Sequence, residues 1–336
     1  MKLFLKPTLI AATLAALSLS ANAQWAGLNN YSLVGTYALP ALSPNPFSAA
    51  QFEASAVTWN KDTNTLFMLG DGGGFITETT LNGTVLGTMK LAAGSSPQGN
   101  EFYDPEGLAY IGGGKFVMTE ERYRTAVQFS FAANTTLTRA QTSTVKLATT
   151  VGNTGLEGIS YDPVTGGYIA VNQTSGIGGS AQNIFQTQIN FAAGTATNGS
   201  ATTVNNASLF PVGNIGFSSL SDVFALANVY APSVSGYQNI LTMSLTGIKE
   251  MTRAGAVVGS LALPGTGYQA EGITMDNNGL IYVVTDNGDP GTNSSLLVYS
   301  VAAVPEPAGY GLALAGLGML GFVARRKKAA AAAAVA

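Results

Sequence analysis

The chain has 336 residues, 46% of them hydrophobic and 10% charged, with no cysteine and no histidine. Those two absences exclude a disulfide framework, a thiolate nucleophile, Ser-His-Asp chemistry, histidine-ligated zinc and any histidine general base. The net charge of −3 hides a stronger imbalance: without the six basic residues and one acid of the two ends, residues 24–303 hold 9 basic and 17 acidic residues, a net of −8. Such a stretch lacks the basic footprint that nucleic acid requires and suits cations better.

Met1-Lys2 opens a weakly basic start, Leu9 to Leu19 is apolar, and Ala21-Asn22-Ala23 has the small-residue pattern of a cleavage site. This predicts a signal peptide over 1–23, cut by signal peptidase after Ala23, since the apolar run is too short to span a bilayer comfortably. The next stretch, 24–303, is expected to be one β domain. Its 41-glycine chain, with Thr, Ser and Asn between apolar runs, suits short strands joined by tight turns. Tyr31 to Leu39 is strand-like, and the segment from Pro40 to Pro46 breaks it.

One pattern then recurs. Glu53-Ala54-Ser55-Ala56-Val57-Thr58-Trp59 leads through a polar turn to Leu66-Phe67-Met68-Leu69-Gly70-Asp71. Asp104-Pro105-Glu106-Gly107-Leu108-Ala109-Tyr110 leads to Phe116-Val117-Met118-Thr119-Glu120, and Glu157-Gly158-Ile159-Ser160-Tyr161 to Tyr168-Ile169-Ala170-Val171-Asn172. Glu271-Gly272-Ile273-Thr274-Met275 leads to Ile281-Tyr282-Val283-Val284-Thr285-Asp286, and a degraded copy begins near Ser221-Asp222-Val223-Phe224. Steps between first positions are 53, 51, 64 and 50 residues, the period of propeller blades. Residues 76–91 also align without a gap with 248–263, as one outer hairpin with a glycine turn. The expected fold is all-β, a β-propeller over 31–302 with five blades, or six if 193–217 holds extra strands rather than a long loop. The last copy stops after three strands, so Tyr31–Leu39 should complete it and close the ring.

The first strand of a propeller blade lines the central channel. Glu53, Glu106, Glu157 and Glu271 should therefore converge as a ring at one mouth, with Ser221 replacing the acid in the fourth copy and Asp222 beside it. Asp71, Glu120, Asn172 and Asp286 end the second strands and should form a second tier at the same face. Crowded carboxylates repel, so either some hold protons or a cation sits among them. Oxygen donors without nitrogen or sulfur favour Ca²⁺. An equally weighted reading is structural, each carboxylate accepting backbone N–H groups of the next blade. Arg122, in Glu120-Glu121-Arg122-Tyr123-Arg124, is placed either to grip an anionic ligand or to pair with its own neighbours.

At the far end, Val304-Pro305-Glu306-Pro307 precedes the 16 mostly apolar residues 309–324, then Arg325-Arg326-Lys327-Lys328 and an Ala-rich tail over 329–336. This predicts a short hydrophobic helix within 304–328, stopped by cations that stay cytoplasmic. It is marginal as a permanent anchor, which suits transient membrane insertion. The arrangement resembles the PEP-CTERM sorting signal of Gram-negative bacteria. That resemblance implies recognition by an exosortase, cleavage near Pro305, Glu306 and Pro307, an inner-membrane intermediate, and delivery to the cell surface or extracellular matrix, where exopolysaccharide or envelope components are candidate partners. The tail departs from the usual near-terminal basic cluster.

The repeats themselves, above all Asp104-Pro105-Glu106-Gly107-Leu108-Ala109-Tyr110, Thr119-Glu120-Glu121-Arg122 and Leu156-Glu157-Gly158-Ile159-Ser160-Tyr161-Asp162, resemble the SdiA-regulated family of bacterial β-propellers. The resemblance implies a secreted or periplasmic propeller, with calcium association in some members and no settled enzymatic activity. Three functions are expected to compete: a monomeric, non-enzymatic Ca²⁺-binding scaffold at the surface, a calcium-dependent, phytase-like phosphoesterase in which clustered Ca²⁺ activates water, or a purely structural protein-interaction disc.

Overall fold

The computed structural model describes residues 25–39, 53–70, 74–152, 154–173, 184–204, 206–264, 269–286 and 294–301. Ala23, Asp71, Pro305, Glu306 and Pro307 lie outside these residues, as do the segment 304–328 and the tail 329–336.

Apolar and small polar residues alternate between tight turns, and the strands they form group into five antiparallel blades. Strand β1 (Tyr31–Ala38) comes first and is set aside for closure. The first blade runs β2 (Ala54–Asn60), β3 (Thr65–Gly70), β4 (Phe75–Thr79), β5 (Val85–Leu91). The second takes β6 (Pro105–Gly112), β7 (Lys115–Glu120) and β8 (Thr125–Ser130), lends the short β9 (Thr136–Leu137) to the edge of the first, and ends on β10 (Ser143–Lys146). The third holds β11 (Leu156–Asp162), β12 (Gly167–Asn172) and β13 (Ile184–Thr187), followed by a two-residue hairpin of β14 (Ile189–Asn190) and β15 (Thr195–Ala196). The fourth is β16 (Asp222–Ala225), β17 (Ile240–Ser244), β18 (Gly247–Met251), β19 (Val257–Ala262). The fifth is β20 (Gln269–Met275), β21 (Ile281–Asp286), β22 (Ser295–Val301), with β1 as its outer strand.

Five blades and closure by the N-terminal strand are thus both observed. No sixth blade forms among the described residues of 193–217, which hold only β15 and a 3₁₀ turn at Val212–Asn214. The two matching outer hairpins share not only sequence but a bulge at the same place, between Glu78 and Thr79 in one and between Glu250 and Met251 in the other. Trp25 adds a second clasp. Its ring lies 5.4 Å from that of Tyr31 and 5.7 Å from that of Tyr230, and its Nε1 donates to Glu250 Oε1 in the fourth blade (2.8 Å).

Apolar clusters fill the spaces between neighbouring blades. Ala56 and Phe67 pack with Leu108, Tyr110 and Phe116, while Trp59 packs with Tyr282, Val284 and Leu296. A polar contact repeats at the inner strands: Thr58, Ser160 and Thr274 Oγ accept the backbone N–H of Tyr110, Ala225 and Trp59, each at 3.0 Å. These contacts make Trp59, Tyr110 and Ala225 equivalent, and counting back four residues makes Ser55, Glu106 and Ser221 equivalent too.

The glycine after the acid has its own reason. A Cβ on Gly107 would lie 2.7 Å from Glu157 O and 2.9 Å from Ile159 N, and one on Gly272 would lie 2.6 Å from Val57 N. The next blade's backbone occupies that space, so the inner strands can approach only where no side chain intervenes. In the fourth copy Asp222 takes the glycine's place, and its carboxylate fills the gap by accepting from Ile273 N (2.8 Å) and from Val223 N (2.7 Å).

Candidate metal centre

Four of the five inner strands carry a β-bulge at the ring position: Ser55 between Ala54 and Ala56, Glu157 between Leu156 and Gly158, Glu271 between Ala270 and Gly272, and the pair Glu106-Gly107 between Pro105 and Leu108; β16 of the fourth blade pairs without a shift. A bulge leaves one residue outside the ladder and re-aims its side chain. Ser55, Glu106, Glu157 and Glu271 therefore line a single polar cavity of about 260 Å³. Ser55, not Glu53, holds the ring position of the first blade. Glu53 stands two residues earlier, ahead of β2, with its carbonyl against Gly70.

A one-residue slip corrects the second tier. Glu120 pairs with Pro105 in the ladder and turns away from the mouth. Its carboxylate, 1% exposed, takes both guanidinium nitrogens of Arg139 (2.6 and 2.9 Å) and the backbone N–H of Tyr103 (2.9 Å). Asn172 pairs with Leu156, is buried, and accepts from Arg124 Nη2 (3.4 Å). The next residues along, Glu121 and Gln173, line the cavity instead, together with Asp286. Asp222 stands in the inter-blade gap, where burial pushes its carboxyl well above the usual carboxylate range.

Asp104 and Gln98 complete the lining, with Arg122 at the rim. Asp104 adopts φ +56°, a left-handed conformation that aspartate tolerates better than most residues. The Gln98 side chain brackets it, donating to Oδ1 (2.5 Å) and accepting from its backbone N–H (2.6 Å). Arg122 Nε donates to Asp104 Oδ2, lies 3.6 Å from Glu121 Oε2, and has its guanidinium over the Tyr103 ring at 5.1 Å. Arg122 is therefore engaged with Asp104 and Glu121.

Asp104, Glu106 and Glu121 each bring a carboxylate oxygen within 4.8 Å of the others. Two full charges at that separation repel by about 3.5 kcal/mol at an effective dielectric near 20. Among the described residues, six carboxylates line the cavity against one guanidinium, so the site is under strong pressure to take up positive charge. Part of that pressure appears as protons. Burial, then contact with Asp104, pushes Glu121 up to about 7. Burial, then the charges of Glu121 and Glu271, pushes Glu157 well above the ordinary carboxylate range. Glu157 is 5% exposed, and its Oε1 has no hydrogen-bond partner. A buried oxygen left this way costs about 1–3 kcal/mol unless something completes it. The donor set is all oxygen, and a hard cation of Ca²⁺ type fits it.

Sequence reasoning named Glu106, Glu157, Glu271 and Asp286, which the fold does bring together. It passed over Ser55, Asp104, Glu121 and Gln173. One signal was present: Glu121 and Asp286 both follow their ring acids by 15 residues.

The family model described as SdiA-regulated matches residues 37–288, and the PEP-CTERM protein-sorting motif matches residues 303–328. Among solved structures, the chain is similar to Myxococcus xanthus glutaminyl cyclase, at 12% identity and a TM-score of 0.45, over 81% of this chain and 97% of that one. It is also similar to a luciferin-regenerating enzyme, at 11% identity and a TM-score of 0.47, over 82% of this chain and 96% of that one.

Proposed function

This chain belongs to the SdiA-regulated family and ends in a PEP-CTERM sorting motif, and from that premise we propose that it is a surface scaffold that holds Ca²⁺ in its acidic mouth. The sorting motif marks the protein for export and cell-surface targeting in a Gram-negative bacterium and implies processing by an exosortase. Asp104, Glu106 and Glu121 would hold the ion, with Glu157 beside them. When bound, Ca²⁺ would neutralise the crowded carboxylates and lock the first strands of neighbouring blades together. The observation that carries this reading is the buried, unpartnered Glu157 Oε1 in a cavity that, among the described residues, is lined by six acids and one arginine.

Calorimetric titration of the folded domain with CaCl₂ tests it. Saturable binding is expected, weakened at least about tenfold in Glu106→Gln and Glu121→Gln, in line with the loss of one charged ligand. A flat titration of the wild type at neutral pH would remove the reading.

A calcium-dependent phosphoesterase is the second reading. Such chemistry needs cations to grip the phosphate, and the one basic residue lining the cavity among the described residues, Arg122, is bound to Asp104. Turnover of a phosphate monoester that stops with chelator and in Glu106→Gln would favour it over the scaffold.

A further inference from the structure

Two residues past the ring position, each blade contributes one buried aliphatic: Val57, Leu108, Ile159, Val223 and Ile273. This collar lies between the acidic mouth and a second cavity, also about 260 Å³, farther along the same strands. At a rise of about 3.3 Å per residue, Trp59, Tyr110 and Tyr161 sit roughly 13 Å beyond the ring position, and all three line the second cavity.

Thr58 and Thr274, 6% and 1% exposed, each accept a backbone N–H from the adjacent blade at 3.0 Å. A hydroxyl that accepts in this way still has its own proton to donate. Ser160, the third residue of the set, already donates to Tyr161 O (3.1 Å), and Asn228 Nδ2 is held by Ser160 Oγ, Tyr161 O and Ala225 O. Lys61 is the one charged residue of the lining among the described residues and is exposed at the rim. Its neighbour Asp62 accepts the Tyr110 hydroxyl. The cavity thus offers an apolar and aromatic wall, two hydroxyl donors at its buried end and an ammonium about three residues, or roughly 10 Å, nearer the turn.

We propose that this second cavity binds a small aromatic acid with an oxygen at each end. Its ring lies against Trp59, Tyr110 and the aliphatic collar, its buried oxygen accepts from Thr58 and Thr274, and its carboxylate meets Lys61. The site is independent of the acidic mouth, because the collar separates the two.

The probe is 3-(4-hydroxyphenyl)propionate, titrated calorimetrically into the folded domain in chelator, beside its primary amide and its analogue without the phenolic oxygen. Saturable binding of the acid is expected, with each analogue weaker by about tenfold for the lost charge or hydrogen bond. Lys61→Met, at an exposed turn, should lower the acid's affinity to that of the amide and leave the amide unchanged. Glu106→Gln should change neither. Equal affinity for acid and amide, an unaltered Lys61→Met variant, or no saturation at millimolar acid would overturn the proposal.

Discussion

A single step along the chain separates Glu120, whose carboxylate takes both Arg139 nitrogens, from Glu121, whose carboxylate meets Asp104 and Glu157. Their substitutions should therefore separate stability from binding. Glu120→Ala leaves Arg139 without its partner and is expected to lower unfolding stability by about 2–3 kcal/mol with or without Ca²⁺, measured by denaturant midpoints. Glu121→Gln should leave that midpoint nearly unchanged in chelator and lower the Ca²⁺ affinity. The pH dependence follows from the same group. Its folded carboxyl is raised to about 7, so the folded state holds a proton that the unfolded chain has already released. That contribution is full below the unfolded value and is lost as pH rises through the folded one. In chelator, the melting temperature should fall between about pH 5 and pH 8, and the stabilisation given by Ca²⁺ should grow over the same window as competing protons leave. A flat profile in Glu121→Gln would assign the effect to this residue.

At the scale of the strand, the bulge explains both what was legible and what was not. Repeated apolar runs, polar turns and the spare strand at Tyr31–Leu39 announce five blades and their closure without any coordinates. The bulge carries no such mark. Because side chains alternate along a strand, one extra residue exchanges the face of everything beyond it. Hence the mouth receives Glu121 rather than Glu120 and Gln173 rather than Asn172, while in the first blade the bulged residue is Ser55, two positions beyond Glu53. Asp104 was hidden for a different reason: a left-handed backbone ahead of a proline is decided by the surroundings, here the Gln98 clamp. The glycines of the repeated Glu-Gly pair can be tested directly. Gly272→Ala drives a Cβ to 2.6 Å from Val57 N and should cost about 1–3 kcal/mol, since the adjoining blade must shift. Gly113→Ala, where nothing lies within 4 Å but φ is +60°, should cost about 1 kcal/mol from backbone conformation alone.

Over the whole molecule, the disc is held shut by hydrogen bonds rather than a covalent bridge, and the chain has no cysteine to supply one. Removing residues 25–39 deletes β1 and the Trp25 clasp together, and leaves β22 with an unpaired edge. Exposed edges recruit other strands. The truncated protein is expected to melt at least about 10 °C lower and to elute as oligomers on size exclusion. Trp25→Ala alone, which spares β1, should lower the melting temperature without oligomers.

That seam joins residues near 31 to residues near 301. Contacts so distant in sequence form late, because nearly the entire polypeptide must emerge before the two halves can meet. Until then one blade stands incomplete and the disc is an open arc. For an exported chain, this means that translocation has to finish, or almost finish, before the protein acquires its final shape.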